Sequence, residues 1–172
     1  MNALIFLSVR ALHVAVAATW IGSTLFNSVL LMPAVEDAGP AGGRVLASVH
    51  RRGLPIYMMS LGISTVVTGL YLLWRFTGGF DRAVIVTHAG IAFATGGAAG
   101  IAAGLIGGGV VGRSAAAVIR IMTAAGGLED GADKRALVSH AFTLRQRIKV
   151  GTRVVIVMQV AALVLMAVGH YV

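Results

Sequence analysis

The chain contains no cysteine. Disulfides, thiolate metal sites, iron–sulfur clusters and thioether-attached haem are therefore excluded. Charge is scarce too: 12% of the 172 residues are charged, about half the share of an ordinary soluble domain. Only six residues are acidic, and three of them fall in one short stretch, GGLEDGAD at 126–133. No basic residue precedes Arg10, so the first apolar segment lacks the basic start of a signal peptide and is also too long for one. It is expected to be a retained helix.

What remains is apolar. Hydrophobic residues make up 58% of the chain and the mean hydropathy is +0.89. They come in blocks long enough to cross hydrocarbon, which predicts a polytopic membrane protein. Four spans are expected, at about 3–32, 54–76, 83–111 and 150–171. The first stops at Pro33, and the second carries Pro55 in its first turn, where a missing N–H does no harm. The fold class is all-α, a single-domain four-helix up-down-up-down bundle (1–172), with short amphipathic helices in the loops.

The net charge of +8 does not point to nucleic acid, because the basic residues flank membrane spans. Arg44, Arg51, Arg52, Arg113, Arg120, Lys134, Arg135, Arg145, Arg147 and Lys149 share one side, and Arg10, Arg75 and Arg82 the other. The positive-inside rule places both termini outside and the long loops in the cytoplasm, as in a bacterial inner membrane. The basic loop 112–149 reads as a short helix at 114–125, a turn, and a second basic helix continuous with span four. Such helices lie among headgroups and attract anionic lipid.

Polar residues recur along the spans. His13, Trp20 and Asn27 repeat every seven residues on span one, with Ser23 and Thr24 beside them. Span two has Ser64, Thr68, Tyr71 and Arg75; span three has His88 in line with Thr95; span four has Thr152, Gln159 and His170. Four polar faces meeting in the centre would suit a cofactor or a conduction path. The plainer reading keeps Ser and Thr bonded to their own helices and makes Gln159 an interhelical tether.

An ionisable side chain within a span is costly and marks a functional candidate. His13 lies three residues past Arg10 and His88 six past Arg82, which predicts similar depths on two parallel spans. A metal could be held between them, and haem b is the planar metal cofactor that fits between membrane helices. Arg10, Arg75 and Arg82 would meet its propionates, while Trp20, Tyr71 and His170 would line the site. Alone, either histidine reads as a hydrogen-bonded core residue. His50 and His140 read as solvated interfacial residues that share a side and could form a second site. His170 is an alternative ligand, a proton donor or an interfacial anchor, and Met166 an alternative axial ligand. The Gly96-Gly100-Gly104-Gly108 stripe is expected to serve close helix packing or a homo-oligomer interface.

The stretch 11–33, ALHVAVAATWIGSTLFNSVLLMP, resembles the first helix of two groups of small membrane proteins. One is the oxygen-independent membrane protoporphyrinogen oxidase family and the other the copper-resistance D type. The residues carrying the likeness are Leu12-His13, Trp20, Gly22, Phe26 and Pro33, with a second echo at His50-Arg51-Arg52, Pro55, Gly69 and Leu72-Leu73. The oxidase resemblance implies haem binding at His13 with a lysine on the third helix, where this chain has IVTHAG and His88 instead. The leading expectation is a membrane cytochrome b ligated by His13 and His88, transferring electrons or doing haem-based redox chemistry with a quinol or redox protein. The alternatives are a protoporphyrinogen oxidase-like enzyme, and a copper-handling transporter or haem-free structural subunit.

Overall fold

The computed structural model describes residues 3–169 and Tyr171, and its regular structure is entirely helical. In chain order, α1 is Ala3–Phe26, α2 Met32–Asp37, α3 Pro40–Arg51, α4 Leu54–Phe76 and α5 Arg82–Ile85. Then follow α6 (His88–Ile106), α7 (Arg113–Gly126) and α8 (Ala132–Val168). Two π-helical segments, Asn27–Leu31 and Gly107–Gly112, join α1 to α2 and α6 to α7. Four helical runs are long and apolar enough to cross a membrane, which marks an integral membrane protein. Exposed side chains such as Ile56, Ile63, Val67, Val157, Leu163 and Val164 would be a liability in water and suit hydrocarbon.

Two expected boundaries move, each for a local reason. The first run continues past Pro33 to Asp37. Proline lacks an N–H and its ring crowds the carbonyl four residues back; the π turn ending at Leu31 rearranges that part of the ladder. Span three does not start at 83. Asp81 caps the four-residue α5 by accepting from Ala83 N at 2.9 Å, the chain then breaks, and Thr87 caps α6 by accepting from Gly90 N at 3.1 Å. Gly90 permits the break, because a Cβ there would run into the carbonyls of Val84 and Ile85. The basic segment before span four is one helix with it, as the sequence predicts. At 37 residues and ~1.5 Å each, α8 is roughly 55 Å long, well beyond the ~30 Å of hydrocarbon.

The helices meet through small residues. α1 packs against α4 in the opposite direction, through His13 with Thr68, Trp20 with Gly62 and Ser23 with Tyr57. α6 packs against α8 likewise: Gly96 meets Ala162 and Leu165, Gly107 meets Val155, and Gly151 meets Val111. α4 joins the pairs through the edge-on Phe76–Phe93 contact, ring centroids 5.0 Å apart. The buried core is Trp20, Ala103 and Val155, with Met58, Leu61, Ile106 and Met158 packed on it. It lies towards the end that carries the long loops. The opposite end, bearing Arg10, Arg75 and Arg82, is here the Arg10 end.

Candidate functional site

Two layers seven residues apart cross the bundle. In the lower layer the Trp20 indole fills the space between two glycines. A Cβ at Gly62 would lie 3.3 Å from its ring, and one at Gly104 3.7 Å. Seven residues towards the Arg10 end on each helix stand His13, Gly69 and Gly97. Because seven residues make two turns, these face as their lower counterparts do. The imidazole rests on Gly69, where a Cβ would come 3.0 Å from its Cε1. It does not reach across. Among the described residues nothing lies within 4 Å of a Cβ built at half-buried Gly97 or Gly100, apart from their own helix. Near the level of His13 the α6 backbone at Gly97 and Gly100 is therefore left uncovered by neighbouring helices, with Trp20 packed below it.

The hydrogen bonds around His13 set its tautomer. Nδ1 lies 3.0 Å from Thr68 Oγ1, and that hydroxyl donates to the Ser64 carbonyl at 2.6 Å. A hydroxyl has one proton, so when Thr68 donates to a carbonyl of its own helix it accepts from the ring, and the histidine proton is then on Nδ1. The Thr65 carbonyl is a further acceptor near the imidazole. Nε2 is then the ring's lone-pair nitrogen, the arrangement found where histidine ligates a metal and its other nitrogen donates to a neighbour.

Several expected site residues gather at this level and above it. Arg10 is three residues above His13, and half-buried Tyr71 three above Thr68 on the antiparallel helix, so the two are level. One turn further along α4, the Arg75 guanidinium sits 5.9 Å from the Trp74 ring centroid, a cation–π contact. Tyr71 and Trp74 rings are 6.2 Å apart. Exposed Arg82 opens α5 beyond them.

His88 does not join them. It is the first residue of α6 and exposed, as is Thr95, so the polar line expected on span three faces outward. The side of α6 turned inward is that of Gly90, Ala92, Gly96 and Ala103. Nor is it at the depth of His13. Trp20, seven residues below His13, meets Gly104; the level of His13 on α6 is thus Gly97, nine residues below His88. The Phe76–Phe93 contact gives thirteen residues by the same reasoning. The Thr24–Gln159 bond, with Gly107 level with Val155, gives four residues, so the offset is roughly 6–20 Å at ~1.5 Å per residue. A metal between two imidazoles needs both nitrogens about 2 Å from it. The depth expectation fails because Arg82 belongs to a separate helix, α5, and does not mark the start of α6.

Comparison of the chain with protein-family models, curated proteins and solved structures finds no match. The site is therefore read from its own chemistry.

Of the remaining expected residues, His170 lies outside the described residues, and His140 is exposed on α8. His50 lines a groove with Arg113 and Arg120, described below. The glycine stripe winds around α6: Gly96 receives α8, Gly104 receives Trp20, and Gly108 is exposed. Gln159 is a buried tether, its Nε2 donating to Thr24 Oγ1 at 3.3 Å while Thr24 donates to the Trp20 carbonyl; the Gln159 Oε1 has no partner among the described residues. A groove of about 420 Å³ near the long-loop end carries Ser23, Asn27 and Tyr57 on otherwise apolar walls. The residues missing from the sequence expectation are Gly97 and Gly100, with Thr68 as the partner of His13. Their signal is a shared step of seven: 13 and 20, 62 and 69, 97 and 104.

Proposed function

We propose that this chain is a b-type haem protein of the bacterial inner membrane, in which His13 would hold the haem, with a redox role. The observation that carries the reading is His13 packed on Gly69 with its Nδ1 at Thr68, near the level where the α6 backbone at Gly97 is left uncovered. The residues fit the group. Half-buried glycines give a flat face room, Trp20 closes the inner side, and Arg10 and Arg75 stand towards the rim where propionates need cations. A haem held there by His13 would supply one-electron redox chemistry. The chain's own part is to hold the His13 ring through Thr68.

The reading includes an up-down-up-down bundle with both termini periplasmic and the basic helices α3 and α7 at the cytoplasmic surface, on the strength of the loop charges. The groove of Ser23, Asn27 and Tyr57 suits a quinol head, with three polar groups on an apolar wall. A single ligand also favours a second reading, a protoporphyrinogen-oxidising enzyme, over a six-coordinate cytochrome.

The test is a reduced-minus-oxidised spectrum of the purified protein expressed with haem supplied, beside His13→Ala and His88→Ala. A b-type Soret band lost in His13→Ala and kept in His88→Ala is expected. A haem-free wild type sinks the proposal. Loss in both variants restores the paired ligand. Rescue of a strain lacking protoporphyrinogen oxidation distinguishes the enzyme.

A further inference from the structure

α7 begins where the apolar part of span three ends, and its first residue is Arg113. Arg120 follows seven residues on, so both guanidiniums rise from one face, with Ala116 between them. Ile119 and His50, the latter from the last turn of α3, complete a groove of about 520 Å³. No carboxylate lines it. Among the described residues the ion pairs of this region are Lys134–Asp130 and Lys149–Glu36, and neither arginine of the groove has a carboxylate partner. Two unpaired guanidiniums roughly 10 Å apart along the helix, with an imidazole opposite, form a concentrated positive site.

We propose that this groove binds a phosphate-bearing anion, and that in the membrane its occupant is the headgroup of an anionic phospholipid. Guanidinium matches phosphate oxygens bidentately, which a scatter of interfacial lysines would not. The small Ala116 lets the anion approach the helix between the arginines. Ile119 gives the groove an apolar wall, and the exposed apolar surface of the adjoining spans offers a path for acyl chains. The position of Arg113 at the end of an apolar span sets the groove at headgroup depth. This inference is independent of the haem reading.

The experiment uses the full chain in a neutral, phosphate-free detergent. Native mass spectrometry follows retention of added dioleoyl phosphatidylglycerol, and calorimetry follows inorganic pyrophosphate in parallel. The variants are Arg113→Gln/Arg120→Gln, the single Arg120→Gln, and Arg145→Gln/Arg147→Gln, which removes the same charge from α8 outside the groove. Elution as the wild-type species in size exclusion checks folding, and the exposed Arg120 single keeps the test alive should the double variant fail it. One phosphatidylglycerol per chain is expected on the wild type. It should be weakened about tenfold or more in the groove double, partly in the single, and within about twofold in the α8 control. Pyrophosphate binding with that same variant pattern, without lipid retention, keeps the phosphate site and assigns it to a soluble molecule. Equal losses in the two double variants, or no binding of either probe, overturn the proposal.

Discussion

Substitution of Gly97 gives a direct test of the uncovered α6 backbone. A Cβ at this position meets nothing within 4 Å, so Gly97→Ala is free of steric cost. Replacing glycine inside a helix with alanine gains up to about 1 kcal/mol in water. Spans unfolded within a bilayer stay helical, so that figure is an upper bound here. It corresponds to a rise of no more than ~2–4 °C in the unfolding midpoint of a chain this size. Gly97→Leu tests occupancy. Its side chain grows from a position where nothing lies within 4 Å of the Cβ, so the chain should still fold. Haem affinity should fall about tenfold or more, equivalent to ~1.4 kcal/mol. Gly108→Leu is the control: Gly108 is exposed on the same helix, and a Cβ there likewise meets nothing within 4 Å. The assay is haem titration of detergent-solubilised apoprotein followed at the Soret band, with thermal unfolding of each apo variant alongside. If Gly97→Leu keeps wild-type haem affinity, or loses no more than Gly108→Leu does, the uncovered backbone at Gly97 is not the cofactor site.

Thr68→Val preserves shape but removes the acceptor that fixes the His13 tautomer; haem affinity should drop about 10–100-fold, and wild-type affinity would show that the ring needs no such hold. Gln159→Leu removes a buried amide oxygen with no partner among the described residues, at the cost of one long hydrogen bond. Resistance to unfolding in mixed micelles should therefore be unchanged or rise by ~1 kcal/mol, and a fall beyond that would mean the oxygen has a partner. Outside the spans, a hydrogen bond and charge from Lys134 hold the Asp130 carboxyl below the usual carboxylate range. A depressed acid stabilises the folded form above its unfolded pKa and loses that contribution as pH falls through the folded value. The protection of amides in the first turn of α8, taken relative to the intrinsic exchange rate at each pH, should thus fall on acidification below the ordinary carboxylate range. Asp130→Asn should remove that dependence, and a persisting one would assign it elsewhere.

The sequence alone determined the number of spans and the continuity of the basic helix into span four. Each follows from what a side chain prefers beside lipid, water or a headgroup, and that preference is written residue by residue. Heptad spacing also showed which residues of one helix share a face, as His13 and Trp20 do. It could not show how far one helix slides along another. That offset comes from interlocking contacts, here Trp20 seated between Gly62 and Gly104, and it separated two histidines that the distance from neighbouring arginines had placed level. Likewise, a break stabilised by the Thr87 cap and permitted by Gly90 ended one helix and began another, so His88 faces outward. The tertiary structure alone decided which glycines are filled and which are left open. At Gly62 and Gly104 a neighbouring side chain lies against the bare backbone, and at Gly97 none reaches it, a difference that depends on the opposite helix rather than on glycine itself.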